Sequence, residues 1–524
     1  MPTGAALPSL DCYEAIVVDG HPDAQAATDL LAVRARVEAG AALIALGAAS
    51  HDTEGFWADL LGVVAGRPLP AGEYFAKVTR QAGSLTDRLA DEFPVIDRFE
   101  PLRPHGDAVV LVSVSIGYTD HPAVVERRLG HGRLLVSGLG NTDDALGSDE
   151  LATLVRRALR PVSDSNVFNR TIGIGVVGYG PFGGMGYYHG LGARSTPGLE
   201  FVATCDPSDE RRKAAETDFP GVRSYAAIED LAEDDDVDVV FIATPPSFHA
   251  ELAMQMLQAG KHVACEKPLC LTVADADALI ATAQKLDRVL TVHQNRRWDP
   301  DFAAIERVVA AGALGELFNV ETFVGGFEHP CRAWHSDVGV SGGAVYDWGS
   351  HHVDWILQLL GTAPDVVQTH GHKRVWHDVT NLDQLRVRLT WADGREAEFL
   401  QSDIAAVRRP KFYIQGTAGT LVGHYRPVTF ERIEPGRGYV SETAHHAEAP
   451  ADLVLARYES GFGITESRLP PAPERRFAFH RNLADHLHLG EALAVTPQSV
   501  RQVIAVLEAA QRSSDEGNVP ITLN

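Results

Sequence analysis

The chain has 524 residues, 45% of them hydrophobic and 22% charged, which is too long for one ordinary domain and normal for soluble globular protein. Its formal net charge of −24 argues against nucleic acid and anionic membrane surfaces as partners, since both are bound by cationic side chains. Five scattered cysteines (Cys12, Cys205, Cys265, Cys270, Cys331) include no C-x-x-C pair and fit reduced thiols. No basic and apolar leader opens the sequence, and the longest apolar stretch, residues 108–116, is too short to span a bilayer. A cytoplasmic protein acting on a small molecule is the expectation.

In chain order, residues 1–160 alternate strand-like runs (EAIVVDG, AALIALG, AVVLVSVS, GRLLVSGLG) with helix-like segments such as HPDAQAATDLLAVRARVEAG. That alternation predicts an α/β layer with a mostly parallel sheet. Residues 161–170, PVSDSNVFNR, break the periodicity and read as a linker. From 171 to 295 a regular alternation predicts a doubly wound parallel sheet, with strands IGIGVVGYG, LEFVATCD, VDVVFIATPP, KHVACEKP and VLTVHQN. From 296 to 524 the pattern changes. A helix (DPDFAAIERVVAAGALG) and a strand (FNVETFVGGF) precede a long helix containing GGAVYDWGSHHVDW, residues 342–355. QLRVRLTW, REAEFLQSD, KFYIQG and GTLVGHY then predict an α/β domain with a mainly antiparallel sheet, and SVRQVIAVLEAAQRSS a closing amphipathic helix.

Residues 172–183 place G-x-G-x-x-G at Gly178, Gly180 and Gly183, with Pro181 and Phe182 inside the turn, directly after an Ile/Val strand. A dinucleotide site needs this: a tight turn, a position where backbone meets pyrophosphate, and close helix–strand packing. Amides at the start of the following helix supply positive potential for phosphate even in an acidic protein. The next strand ends at Asp206, 23 residues after Gly183, where an acid is suited to the adenine ribose hydroxyls. Asp206 favours NAD, while Ser208, Arg211 and Arg212 leave NADP open.

GVVGYGPFG, ATPPSFH (243–249), CEKP (265–268) and GGAVYDWGSHHVD (342–354) occur in this order. Together they resemble the glucose–fructose oxidoreductase / inositol dehydrogenase / rhizopine-catabolism (Gfo/Idh/MocA) family over about residues 171–524. The resemblance implies an NAD(P)-dependent oxidoreductase of hydroxyl carbons in sugars, polyols or cyclitols, working as a homo-oligomer. It places Thr244, Pro245 and His249 beside the cofactor, Glu266 and Lys267 near the nicotinamide, and Asn295 and Arg297 on the segment after the last Rossmann strand. Asp347 and His351 match the family's D-x-G-x-H pair.

Lys267 has a physical reading of its own. A lysine at the carboxyl end of a parallel strand points into the crevice where such sheets bind ligands, and its ammonium suits a developing alkoxide. Asp347 and His351, four apart on a helix, share one face, and a histidine near neutral pKa suits the hydroxyl proton. The expected catalytic set is therefore Lys267, Asp347 and His351, with the proton carrier among them open. His352 points away and Asp354 supports the helix. In the preceding loop Trp334 is placed to stack on a sugar, with Arg332, His335 and Asp337 to bind hydroxyls. A metal site is not expected: D-x-x-x-H supplies two ligands, and only His329, His335 and Asp337 offer more.

Within residues 11–160, YEAIVVDG, GAALIALGAASHDTEGFWADLLG and GHGRLLVSGLGN resemble the trehalose-utilisation (ThuA-like) branch of the class I glutamine-amidotransferase-like fold. No G-x-C-x-G nucleophile elbow occurs and Cys12 precedes a strand, so amidotransfer is not expected. His51 and His121 are the residues here with any capacity for chemistry. The resemblance implies a non-catalytic domain and a glucoside or disaccharide substrate that yields a 3-keto sugar.

Overall fold

The structure is a computed structural model describing residues 15–19, 27–46, 56–79, 85, 86, 89, 91–117, 119–140, 148–159, 171–180, 184–331, 334–434, 438–445, 449–472 and 474–523. The chain forms two compact units, residues 1–170 and 171–524. Cys12, His51, the linker 161–170, Pro181, Phe182, Gly183 and Arg332 lie outside the described residues.

The first unit corrects the expectation of a mostly parallel sheet. Its seven-stranded sheet runs in the order Ala15–Asp19, Ala42–Leu46, Gly132–Ser137, Thr119–Leu129, Val109–Ile116, Ala71–Val78, Glu92–Arg98. Only the first two neighbouring pairs are parallel; the remaining four are antiparallel. The physical reason is the connection length. Thr119–Leu129 follows Val109–Ile116 and precedes Gly132–Ser137 across two-residue gaps, whereas a parallel crossover needs a dozen residues or more. The sequence TDHPAVVERRL, with its mixed polarity, had hidden that central strand.

The second unit opens with six strands, all parallel, in the order Arg223–Tyr225, Leu199–Cys205, Ile172–Val177, Val239–Ile242, His262–Cys265, Leu290–Val292. The chain winds outward from Ile172–Val177 in one direction, then returns to its other side through Val239–Ile242. That reversal opens a crevice at the carboxyl ends of these two strands, the place where doubly wound sheets bind ligands. The inner strands Ile172–Val177 and Val239–Ile242 are rich in Ile and Val and buried on both faces, as a sheet covered by helices on two sides requires.

A nine-stranded sheet follows in the order Gly463–Leu469, Asp452–Glu459, Gly419–His424, Phe412–Gly416, Leu317–Gly325, Glu396–Ser402, Gln384–Thr390, Val366–His372, Ile521–Thr522. Every pairing is antiparallel except Leu317–Gly325 with Glu396–Ser402. Helices Gly349–Leu360 and Pro497–Asp515 supply Trp355, Ile356, Val503 and Leu507 to a core continuous with Phe399 and Phe412 of the sheet.

The expected long helix around residues 342–355 is instead three pieces, Val338–Ser341, Ala344–Asp347 and Gly349–Leu360. Gly342 and Gly343 have φ of 80° and 89°, a left-handed conformation that ends the first piece. Asp347 therefore closes one short helix while His351 lies in the first turn of the next.

Candidate active site

The glycine turn sits at the crevice. Gly178 has φ of 94°, and a Cβ there would meet the Ala243 carbonyl oxygen at 2.8 Å, so the two strand ends approach each other only because no side chain intervenes. A Cβ on Gly180 would meet an Arg211 guanidinium nitrogen at 2.8 Å. Asp206 is buried, with its carboxylate accepting from the Tyr179 and Ser208 amides at 2.9 Å each. It braces the turn, and Arg211 is the polar group lying over it. Thr244 Oγ1, on the neighbouring strand end, is buried without a hydrogen-bond partner. A cradle closed to any side chain, a guanidinium beside it and an orphaned hydroxyl together fit a dinucleotide.

Beside this turn a cleft is lined by Thr244, Glu266, Lys267, Trp334, His335 and Asp347, with Met185, Pro246 and Ser341 at its walls. Lys267 follows the strand His262–Cys265, and its Nζ donates to Asp347 Oδ1 at 2.8 Å and to the Asp347 carbonyl at 3.1 Å. Burial alone would raise the Asp347 carboxyl; the Lys267 ammonium overrides it and holds the group below its ordinary range, aided by His335 and Arg296. The cleft thus presents an ammonium–carboxylate pair to whatever enters.

His351 is buried and does not line the cleft. Burial first, then the positive charges of Lys267 and Arg296, push its pKa well below the ordinary histidine value, so it is neutral. His335 stacks on Trp334 with ring centroids 3.7 Å apart, and burial lowers its pKa as well. Its carbonyl accepts from Asn381 Nδ2 at 2.8 Å, which holds the loop over the cleft.

Two residues expected at the cofactor are structural. His249 is fully buried, its ring nitrogens 2.6 Å from the Pro268 carbonyl and 2.7 Å from the Thr244 carbonyl. It ties the turn at Thr244–Pro245 to the turn at Lys267–Pro268 and has no nitrogen left for a ligand. Arg297 makes a two-pronged ion pair with Asp354 at 2.8 and 2.6 Å, anchoring the helix Gly349–Leu360 to the turn Asn295–Trp298 that Asn295 opens. The neighbouring Arg296 is the one whose charge reaches Asp347 and His351; its guanidinium lies 5.2 Å from the Trp348 ring centre and bonds Asp299 at 3.2 Å. Nothing in the spacing of NRRW distinguishes the two arginines.

The loop residues weighed as metal ligands do not converge. His329 pairs with Asp378 at 3.0 Å, and Asp337 caps the helix Val338–Ser341 by accepting from the Gly339 amide. His352 stacks on Phe399 in the core, with centroids 4.8 Å apart.

Residues 172–294 match the oxidoreductase family with an NAD-binding Rossmann fold, GFO_IDH_MocA, and residues 302–422 match the GFO/IDH/MocA C-terminal domain. The oxidoreductase YdgJ of Escherichia coli is 30% identical over 353 residues, 67% of this chain and 98% of its own length. The scyllo-inositol 2-dehydrogenase (NADP(+)) IolW of Bacillus subtilis is 26% identical over 350 residues, 66% of this chain and 94% of its own length. The crystal structure of an NAD-binding protein from Listeria innocua superposes with a TM-score of 0.56 at 28% identity, covering 67% of this chain and 97% of that one. The chain belongs to the Gfo/Idh/MocA family of oxidoreductases, and its second unit carries that family's NAD-binding Rossmann domain.

Proposed function

We propose that the protein transfers a hydride between a nicotinamide dinucleotide and a secondary hydroxyl of a sugar, glycoside or cyclitol. The observation that carries this reading is the Lys267–Asp347 pair in a cleft at the carboxyl edge of the dinucleotide sheet. The bound dinucleotide would supply the hydride acceptor or donor. Lys267 binds the reacting hydroxyl, and its ammonium stabilises negative charge developing on that oxygen. Asp347 orients Lys267 and accepts from a neighbouring hydroxyl, as a carboxylate held ionised does. The hydroxyl proton goes to a member of the set Lys267, Asp347 and His351, and the pH dependence of turnover in His351→Asn tests whether this buried, neutral histidine is the acceptor. Trp334 and His335 form a flat wall suited to a sugar ring. Two relatives favour this substrate class: the inositol dehydrogenase above, and a 1,5-anhydro-D-fructose reductase of Ensifer adhaerens, 27% identical over 235 residues.

The test is turnover of NAD and NADP with a panel of glycosides, free sugars and cyclitols, followed at the nicotinamide absorbance. A second reading is an NAD-dependent glycoside hydrolase or lyase that oxidises a ring hydroxyl transiently and regenerates its cofactor. Free sugar released without net reduced cofactor selects that reading.

The N-terminal unit is, in this proposal, a non-catalytic ThuA-like domain. It retains three parallel strands, extended by antiparallel ones. His121 sits in one of the antiparallel strands, opposite Val114, and His121→Ala should leave turnover unchanged. No helix among the described residues is long and apolar enough to cross a membrane. Cys205, Cys265 and Cys270 are free and buried, in keeping with a reducing cytoplasm. Homo-oligomerisation is supported by Tyr458, Phe462 and Ile464, exposed on the outermost hairpin of the large sheet, and light scattering tests it.

A further inference from the structure

Past Asp347 the wall of the cleft continues onto the large sheet. On the strand Glu396–Ser402, Phe399 stacks on His352, which fixes the face that the strand turns toward the helix Gly349–Leu360. Side chains alternate along a strand, so Gln401 and then Asp403 follow on that same face. Burial and then the negative charge of Asp347 push the Asp403 carboxyl up to about 7, so the two carboxyl groups are neighbours.

Next to Asp403 stands an aromatic platform. Trp376 donates from Nε1 to the Asp403 carbonyl at 3.0 Å and meets the rings of Phe327 and His329 edge-on, with centroids 6.0 and 4.8 Å away. Phe327 is 54% exposed. The loop carrying Trp376 is held by Asp383, which is fully buried and accepts from Lys373 Nζ at 2.9 Å and from the Val375 amide at 2.6 Å. Farther along the same loop, Asn381 donates to the His335 carbonyl in the cleft wall. That bond commits the Asn381 Nδ2 and leaves its Oδ1 without a partner; Gln401 Oε1 is another acceptor without one. The two side chains are only 7% and 8% exposed, and orphaned buried polar atoms call for an explanation. Acceptors that lack donors suit a ligand rich in hydroxyls, while the carboxylates of Glu328 and Asp378 beside the platform disfavour an anion.

We propose that the cleft extends into a second subsite for a neutral sugar ring, walled by Trp376 and Phe327, with Asp403 and Gln401 binding hydroxyls on the path between. This inference rests on the hydride-transfer reading and narrows its substrate to glycosides of at least two rings. The reacting ring lies against Trp334 and His335, beside Lys267. The next ring lies on Phe327 and Trp376, which supply the flat apolar surface that saccharide C–H groups need, with a few convergent polar groups to fix its orientation. A single ring fills the inner cleft alone and leaves the platform in water.

Maltose, cellobiose, trehalose and lactose are compared with methyl glucosides and methyl galactosides in two assays on the full chain. One is steady-state turnover with NAD and NADP; the other is calorimetric titration of the protein saturated with cofactor. At least one disaccharide should exceed the methyl glycosides about tenfold in kcat/KM and in affinity. Phe327→Ala alters an exposed side chain and Asp403→Asn keeps the volume of the original, so both variants should fold. Each should lower the ratio of disaccharide to methyl glycoside by about tenfold. A preference seen in binding and abolished by Phe327→Ala upholds the subsite even where no reduced cofactor forms, a result that rejects hydride transfer alone. Disaccharides that bind and turn over no better than methyl glycosides overturn the subsite, as does a preference that both variants keep, or the absence of any saccharide binding.

Discussion

Lys267→Met keeps most of the apolar stem and deletes the ammonium, which makes it the sharpest test of the cleft. The lysine has two bonds to Asp347, at 2.8 and 3.1 Å, on a pair whose side chains are 22% and 30% exposed. A pair so open to solvent contributes about 1 kcal/mol or less to stability. The transition-state loss should be larger. Removing a donor aimed at a developing oxyanion costs roughly 2.7–4 kcal/mol, or about 10²–10³ in kcat. Steady-state kinetics with the best glycoside or cyclitol, beside a thermal melt, should therefore show turnover collapsing while Tm barely moves. Acid stability should change as well. In the wild type the depressed Asp347 pKa contributes stability that is present above the unfolded value of 3.8 and is lost as pH falls through the folded value below it. Without Lys267 that depression is lost, so the variant should no longer show this loss of stability in the acid window. A Lys267→Met protein that keeps more than about a tenth of wild-type kcat would refute the role proposed for the ammonium.

Arg211→Ala should raise KM for NADP more than for NAD, because its guanidinium lies against Gly180 in the phosphate-binding turn; equal changes for the two cofactors would rule out that role. Arg297→Met leaves Asp354 buried without its cation and should cost roughly 3–5 kcal/mol in chemical denaturation, with KM for the cofactor little changed. Asp403, raised to about 7 by burial and by the nearby carboxylates of Asp347 and Asp383, holds a proton in the folded state that the unfolded chain has released. Stability should therefore fall as pH rises from about 4 to 7, by roughly 2 kcal/mol given its partial exposure. Asp403→Asn should flatten that slope in pH-dependent melts. Gly178→Ala should abolish dinucleotide binding by fluorescence titration, since the new methyl meets the Ala243 carbonyl.

What the sequence by itself determined was local. Buried parallel strands read as unbroken β-branched runs, a glycine turn follows one of them, and a lysine ends another; each property is complete within about ten residues. The cofactor-binding half and the place of Lys267 at a strand end were legible for that reason, whereas its ion pair with Asp347 joins residues 80 apart and belongs to the tertiary structure. Tertiary structure alone decided the rest. Which of two adjacent arginines faces the site depends on how the turn Asn295–Trp298 meets Asp354, 57 residues on. His249 has the sequence context of a cofactor contact, yet carbonyls from two separate turns consume both its nitrogens. The strand Thr119–Leu129 became central only by pairing on both sides, which turned an expected parallel layer largely antiparallel. The buried contact between His189 and His480 could not be read at all: they stand 291 positions apart, and no periodicity links residues that meet only when a C-terminal helix packs against the first helix of the Rossmann domain.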